Sequence, residues 1–221
     1  SRSVRSRSVR SRSVRSRSVR SRRVRRVSDS PFQRWRLWGL LAYAFYAAHA
    51  GYFLSVSRPG CLAWGCHLAA LGVGTGLLLR IPTFNGMGIL SLLFGVPLWL
   101  LDVFTGGEFL PTSMLTHCGG FVLGVYGVWK LGLPRFTWLV LWLTTVLLLL
   151  FSRVFTPEAE NVNLAWGPPK GWESLPAYPV FGAIVLSGAA FQFSVGEAIL
   201  RRLFRTRLEA LAAASKAEPE G

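Results

Sequence analysis

The length of its apolar stretches constrains this chain more than any other feature. Between Trp35 and Leu200 they run for about twenty residues each and are broken by short polar turns. Roughly twenty residues is what a helix needs to cross about 30 Å of hydrocarbon. The sequence therefore predicts an all-α polytopic membrane helix bundle of six transmembrane helices, at about 35–55, 61–79, 86–105, 109–129, 136–155 and 177–200. The turns carry the right chemistry for breaks: Ser57-Arg58-Pro59-Gly60, Pro82 before the third stretch, Gly106-Gly107-Glu108, Pro134 before the fifth, and a longer polar segment from Thr156 to Pro176. The transmembrane domain fills residues 31–204, between a tail over 1–30 and a C-terminal tail over 205–221.

Charge is split unevenly. Residues 1–36 hold 14 of the 25 basic residues, all Arg, against the single acid Asp29, so the high isoelectric point belongs to the tail and not to the body. The tail repeats Ser-Arg-Ser-Val-Arg four times and cannot bury a core, so disorder is expected there. Two readings stand for it: a polybasic segment held against anionic lipid, or a non-native extension ahead of a natural opening at Ser28-Asp29-Ser30-Pro31. No aromatic platform or folded module accompanies the arginines, so no nucleic-acid partner is expected.

The loops vote on orientation. One side collects the N-terminal arginines, Arg80, Lys130, Arg135, Arg201, Arg202, Arg205 and Arg207; the other has Arg58, Glu108, Glu158, Glu160, Lys170 and Glu173. Lys/Arg enrichment marks the cytoplasmic side, so both termini are predicted cytoplasmic and the protein integral to a membrane. The nine Trp fall near span ends or in the outer segment, as interfacial anchors do.

Orientation turns scattered polar residues into a layer. His49, Cys66, His67, Asp102, His117, Cys118 and Arg153 all lie in the outer halves of their spans, while the inner halves hold chiefly Gln192 and Glu197. Ionisable groups are expensive in hydrocarbon, which makes each a functional candidate. His117, Gly120, Gly124 and Gly127 share one helical stripe, and small residues at that spacing let helix backbones approach closely. His117 is therefore expected to face a neighbouring helix. Gly65, Ala69, Gly72 and Gly76 make a second small stripe, bordered by Cys66. Pro97 is expected to kink the third span and aim Asp102 inward, with Arg153 as its ionic partner. The duller readings are that the cysteines pack as small apolar groups, that His49 hydrogen-bonds a neighbour, and that Glu108 caps the fourth span.

Spans two to six resemble the YwaF-like family of six-span bacterial membrane proteins, whose eukaryotic relatives include a lipid acyltransferase using a membrane Cys and His. The matching stretches are Cys61–Leu79 with its Cys-His-Leu, Leu98–Thr105 leading into the His117 span, and Asn161-Val162-Asn163-Leu164 with Pro168. The usual order of His and Cys in span two is altered here, which leaves Cys66 the better nucleophile candidate and Cys61 the other. The resemblance implies a bacterial inner membrane protein that transfers acyl groups among membrane lipids. Cys66 would attack, His117 would act as base and Asp102 would orient it or stabilise charge. His49, His67 and Arg153 would contact substrate, and Asn161, Asn163 or Thr116 would donate to the oxyanion. Neither a cofactor nor a metal is needed for that reading. Two rivals remain open: metal or haem binding by His49, His67 and His117, and a transporter or non-enzymatic scaffold.

Overall fold

The computed structural model describes residues 31–169, 174–176 and 178–217. The N-terminal repeat, with Lys170, Trp172, Glu173 and Ala177, lies outside the described residues. Helix α1 spans Pro31–Ser55, α2 Gly65–Leu79, α3 Pro82–Phe104, α4 Pro111–Met114, α5 Gly120–Leu131, α6 Thr137–Phe155, α7 Val180–Leu203 and α8 Arg205–Ala217. Among the described residues every regular element is helical. A π-helical turn, Leu115–Gly119, joins α4 to α5, so one expected span is three pieces.

Three helices, α3, α6 and α7, are long and apolar enough to cross a membrane, and α2 is a shorter apolar helix. Their outward faces carry large apolar side chains in the open: Phe155 is 70% exposed, Phe191 69%, Leu147 66%. A contiguous apolar exterior of this kind is what a soluble monomer avoids and a bilayer covers.

The helix cores meet through small residues. Gly72 of α2 lies against Gly88 of α3, and Gly88 in turn against the Ala69 carbonyl and Val73. Gly120 packs on Leu92 and Ala70, Gly124 on Ile89 and Val73, and Gly127 on the Asn85 amide. The predicted stripes are therefore the contact faces. Asn85, fully buried, donates from Nδ2 to the Gly124 carbonyl at 3.0 Å. That bond needs the backbone of α5 close by, which only a glycine face allows.

The C-terminal tail is helical from Arg205 to Ala217. Helix α8 turns back against the end of α5: Arg207 Nε donates to the Trp129 carbonyl at 2.8 Å, and Leu208 and Leu211 lie 3.6 Å from where a side chain on Gly132 would begin. Glu197, buried in α7, fastens the same end. Its two carboxylate oxygens accept from Phe136 N–H at 3.0 Å and Trp138 N–H at 2.9 Å. Those are first-turn amides of α6, which have no intrahelical partner and carry the positive end of the helix dipole. The contact also holds Phe136 in a left-handed conformation, φ 64°, that an aromatic residue rarely adopts. Replacing Glu197 with Ala is expected to lower stability by roughly 2–4 kcal/mol, because two buried amides lose a charged acceptor. Gln, which keeps one acceptor, loses less. Detergent unfolding of the purified variants, followed by circular dichroism, checks this.

Candidate functional site

At the end of the bundle away from α8, the three histidines come together, each buried: His49 is 1% exposed, His67 7% and His117 2%. Helix α1 brings His49, the first turn of α2 brings Cys66 and His67, and the π-turn brings His117. A π-turn adds a residue to the helical register, and such bulges recur at functional sites. Here it places Thr116 and His117 together on the buried side.

Hydrogen bonds fix which ring nitrogen carries each proton. His67 Nδ1 lies 2.9 Å from the Cys61 carbonyl. A carbonyl only accepts, so that nitrogen is the donor, and in a neutral ring Nε2 is then a bare lone pair. His49 Nε2, 3.0 Å away, must donate to it. That leaves His49 Nδ1 to accept from the Thr112 hydroxyl at 2.9 Å. His117 Nδ1 donates to the Ser113 carbonyl at 2.9 Å, which frees its own Nε2. Aromatic walls hold the rings: Trp99 stacks on His117 at 5.2 Å between centroids, and Phe53 stacks on His67 at 5.7 Å.

Cys66 completes the group. One donor atom each of Cys66, His67 and His117 lies within 4.8 Å of the others. Gly95 of α3 supplies the room: a Cβ there would stand 3.1 Å from Cys66 Cβ and 4.0 Å from the His117 ring. Cys66 is the second residue of α2, where amides lack intrahelical partners and the helix dipole is positive. Cys118 stands outside this group. Cys61, in a 3₁₀ turn over Pro59–Ala63, is 1% exposed.

Several expected site residues serve the scaffold. Asn163 accepts from Gly65 N–H at 2.8 Å and donates to the Ala63 carbonyl at 2.8 Å and Ser152 Oγ at 2.9 Å. It caps α2 from a loop 98 residues away in sequence. Asn161 donates to the Gly167 carbonyl and accepts from Trp166 N–H, closing its own loop. Thr116 Oγ1 donates to the Ser113 carbonyl at 2.9 Å. With these donors engaged, none of the three points to an oxyanion.

The Asp102–Arg153 pair expected from the sequence does not form. Asp102 is exposed in the last turn of α3 and its carbonyl receives Gly107 N–H at 2.8 Å; the Pro97 helix does not turn it inward. Arg153 donates to the Ala165 carbonyl at 2.9 Å and sits over Trp166 and Tyr178, 4.3 and 5.0 Å from their ring centroids. A guanidinium satisfied by a carbonyl and two aromatic faces needs no carboxylate. Glu108 likewise accepts from Tyr52 and caps nothing.

Sequence reasoning missed Thr112, Ser113 and Trp99. The signal for Ser113 was its position one turn before His117; nothing in the sequence singles out Trp99, which reads as another interfacial anchor. No family model, curated protein or solved structure matches this chain.

Asn163→Ala is expected to destabilise the fold by roughly 1–3 kcal/mol, since it strands Gly65 N–H and two partners in a poorly hydrated site. Asn163→Asp, which keeps only the acceptor, falls between. Unfolding of both variants in detergent measures the difference.

Proposed function

We propose that this protein is a six-span membrane protein with both termini cytoplasmic, in the inner membrane of a bacterium, and that it transfers acyl groups on membrane lipids through a Cys66 thioester. The observation that carries the reading is the meeting of Cys66 Sγ with ring nitrogens of His67 and His117, all within 4.8 Å of one another inside an apolar bundle. The resemblance to the YwaF-like family points the same way. Its orientation is supported by charge: Lys130 and Arg207 lie over Trp129, at 4.1 and 5.5 Å, at the end opposite the histidines.

His117 is the base of choice. His67 Nε2 already receives the His49 N–H, whereas His117 Nε2 is free of any such bond. In the first half-reaction the Cys66 thiol gives its proton to His117 Nε2 and sulfur attacks the ester carbonyl of a lipid. The tetrahedral intermediate collapses, the C–O bond breaks, and His117 returns the proton to the departing alkoxide. In the second half-reaction an acceptor hydroxyl gives its proton to His117 and attacks the thioester. The proton then passes to sulfur as the thiol leaves. Of the α2 first-turn amides, Gly65 N–H is taken by Asn163 and those of His67 and Leu68 by the Trp64 carbonyl, so the Cys66 N–H is the donor that suits the oxyanion. Asp102 has no part in this.

Incubating the full chain in nanodiscs with an isotope-labelled phospholipid, then trapping with acid, is expected to give an acyl adduct on Cys66. Cys66→Ala abolishes it, and His117→Ala slows its formation roughly a hundred-fold or more. Equal acyl turnover by wild type and Cys66→Ala overturns the reading.

A further inference from the structure

We infer that His49, Cys66, His67 and His117 form a site for a borderline-soft divalent ion of the zinc type, which on binding removes the Cys66 thiol from acyl transfer. Three donors already lie within 4.8 Å of one another. Filling a tetrahedral site with metal–nitrogen bonds of about 2.0–2.1 Å brings donors to within roughly 3.3 Å. His49 Nε2 and His67 Nε2 are 3.0 Å apart, close to one edge of that tetrahedron. Cys66 and His117 both border Gly95 of α3, whose missing side chain keeps the gap between them clear, and ligation requires their side chains to close on the ion.

The surroundings suit ligation. His67 and His117 both hold Nδ1–H on a backbone carbonyl, of Cys61 and Ser113. Ligating histidines are oriented in this way, with Nε2 presented bare. His49 has to release its Nε2 proton and take one at Nδ1. Thr112 permits this, because a hydroxyl that donates to Nδ1 can turn and accept from it. Binding also expels the thiol proton, so the ion replaces one proton at sulfur and no electron moves. Among the described residues no carboxylate joins the cluster. That disfavours magnesium and calcium, which take oxygen ligands, and favours an ion that accepts sulfur and imidazole.

The site itself does not need the acyl-transfer reading; only its inhibitory consequence rests on it. The test uses Co²⁺ as a coloured substitute, added to the chelator-treated full chain in detergent. Wild type is expected to bind one equivalent with a near-ultraviolet sulfur-to-cobalt charge-transfer band, which Zn²⁺ erases. Cys66→Ala loses the band, while Cys61→Ala and Cys118→Ala keep it. His67→Ala and His117→Ala, with helical content checked, weaken binding at least about ten-fold, the scale on which loss of supporting groups is felt. Absence of the band in wild type, or its persistence in Cys66→Ala, overturns the inference. Labelling of the metal-free thiol by an acyl thioester probe is scored in parallel. Labelling without cobalt binding removes the metal site alone, and cobalt binding without acylation removes the proposed function alone.

Discussion

The hydrogen bond from His67 Nδ1 to the Cys61 carbonyl sets the logic of the whole histidine end of the bundle. It fixes one ring tautomer, and each neighbouring proton position follows from it. His49 must donate at Nε2 and accept at Nδ1, and His67 is thereby occupied. His117 is left as the imidazole open to the Cys66 thiol. The bond exists because the chain turns through Pro59–Ala63 before α2 starts, which hangs the Cys61 carbonyl over the first turn of that helix. Asn163 holds the same turn from the other side. The arrangement of the three imidazoles thus depends on one backbone carbonyl held over a helix start.

The two ends of the molecule solve one problem in different ways. Helix starts inside an apolar fold leave amides without partners, and these must be met from elsewhere. At the α8 end a carboxylate from α7 meets them at α6, in a purely structural arrangement. At the opposite end a neutral amide caps only Gly65 of α2. The charged group meets two amides at once, whereas the neutral one meets a single amide and the Trp64 carbonyl takes those of His67 and Leu68.

Much of this was legible in the sequence, for reasons that can be named. Apolar length and Pro/Gly punctuation located the apolar helices but not α8, and the small-residue stripes marked the α2 and α5 contact faces, since close backbone approach has few chemical alternatives. His49, Cys66, His67 and His117 were found because polar groups stand out against Leu and Val. Depth along a helix was readable, but direction around it was not. Asp102 and Arg153 share a depth with the cluster, yet one faces outward and the other is taken up by Trp166 and Tyr178. The π-turn was invisible as well, because nothing in Leu-Thr-His-Cys-Gly distinguishes it from an α-helical run. So were the roles of Asn161 and Asn163, whose partners are set by where loops land.

The most direct measurement of the central claim is nitrogen NMR of the three histidine side chains in the full, metal-free chain. The chain contains only three histidines, so assignment by substitution is short. His67 and His117 should each appear as neutral rings protonated at Nδ1, and His49 as a ring protonated at Nε2. A scalar coupling across the hydrogen bond should connect His49 Nε2 to His67 Nε2. Three rings in rapid tautomer exchange, with no coupling between any pair, would mean that these side chains do not meet and that the bundle holds no shared site.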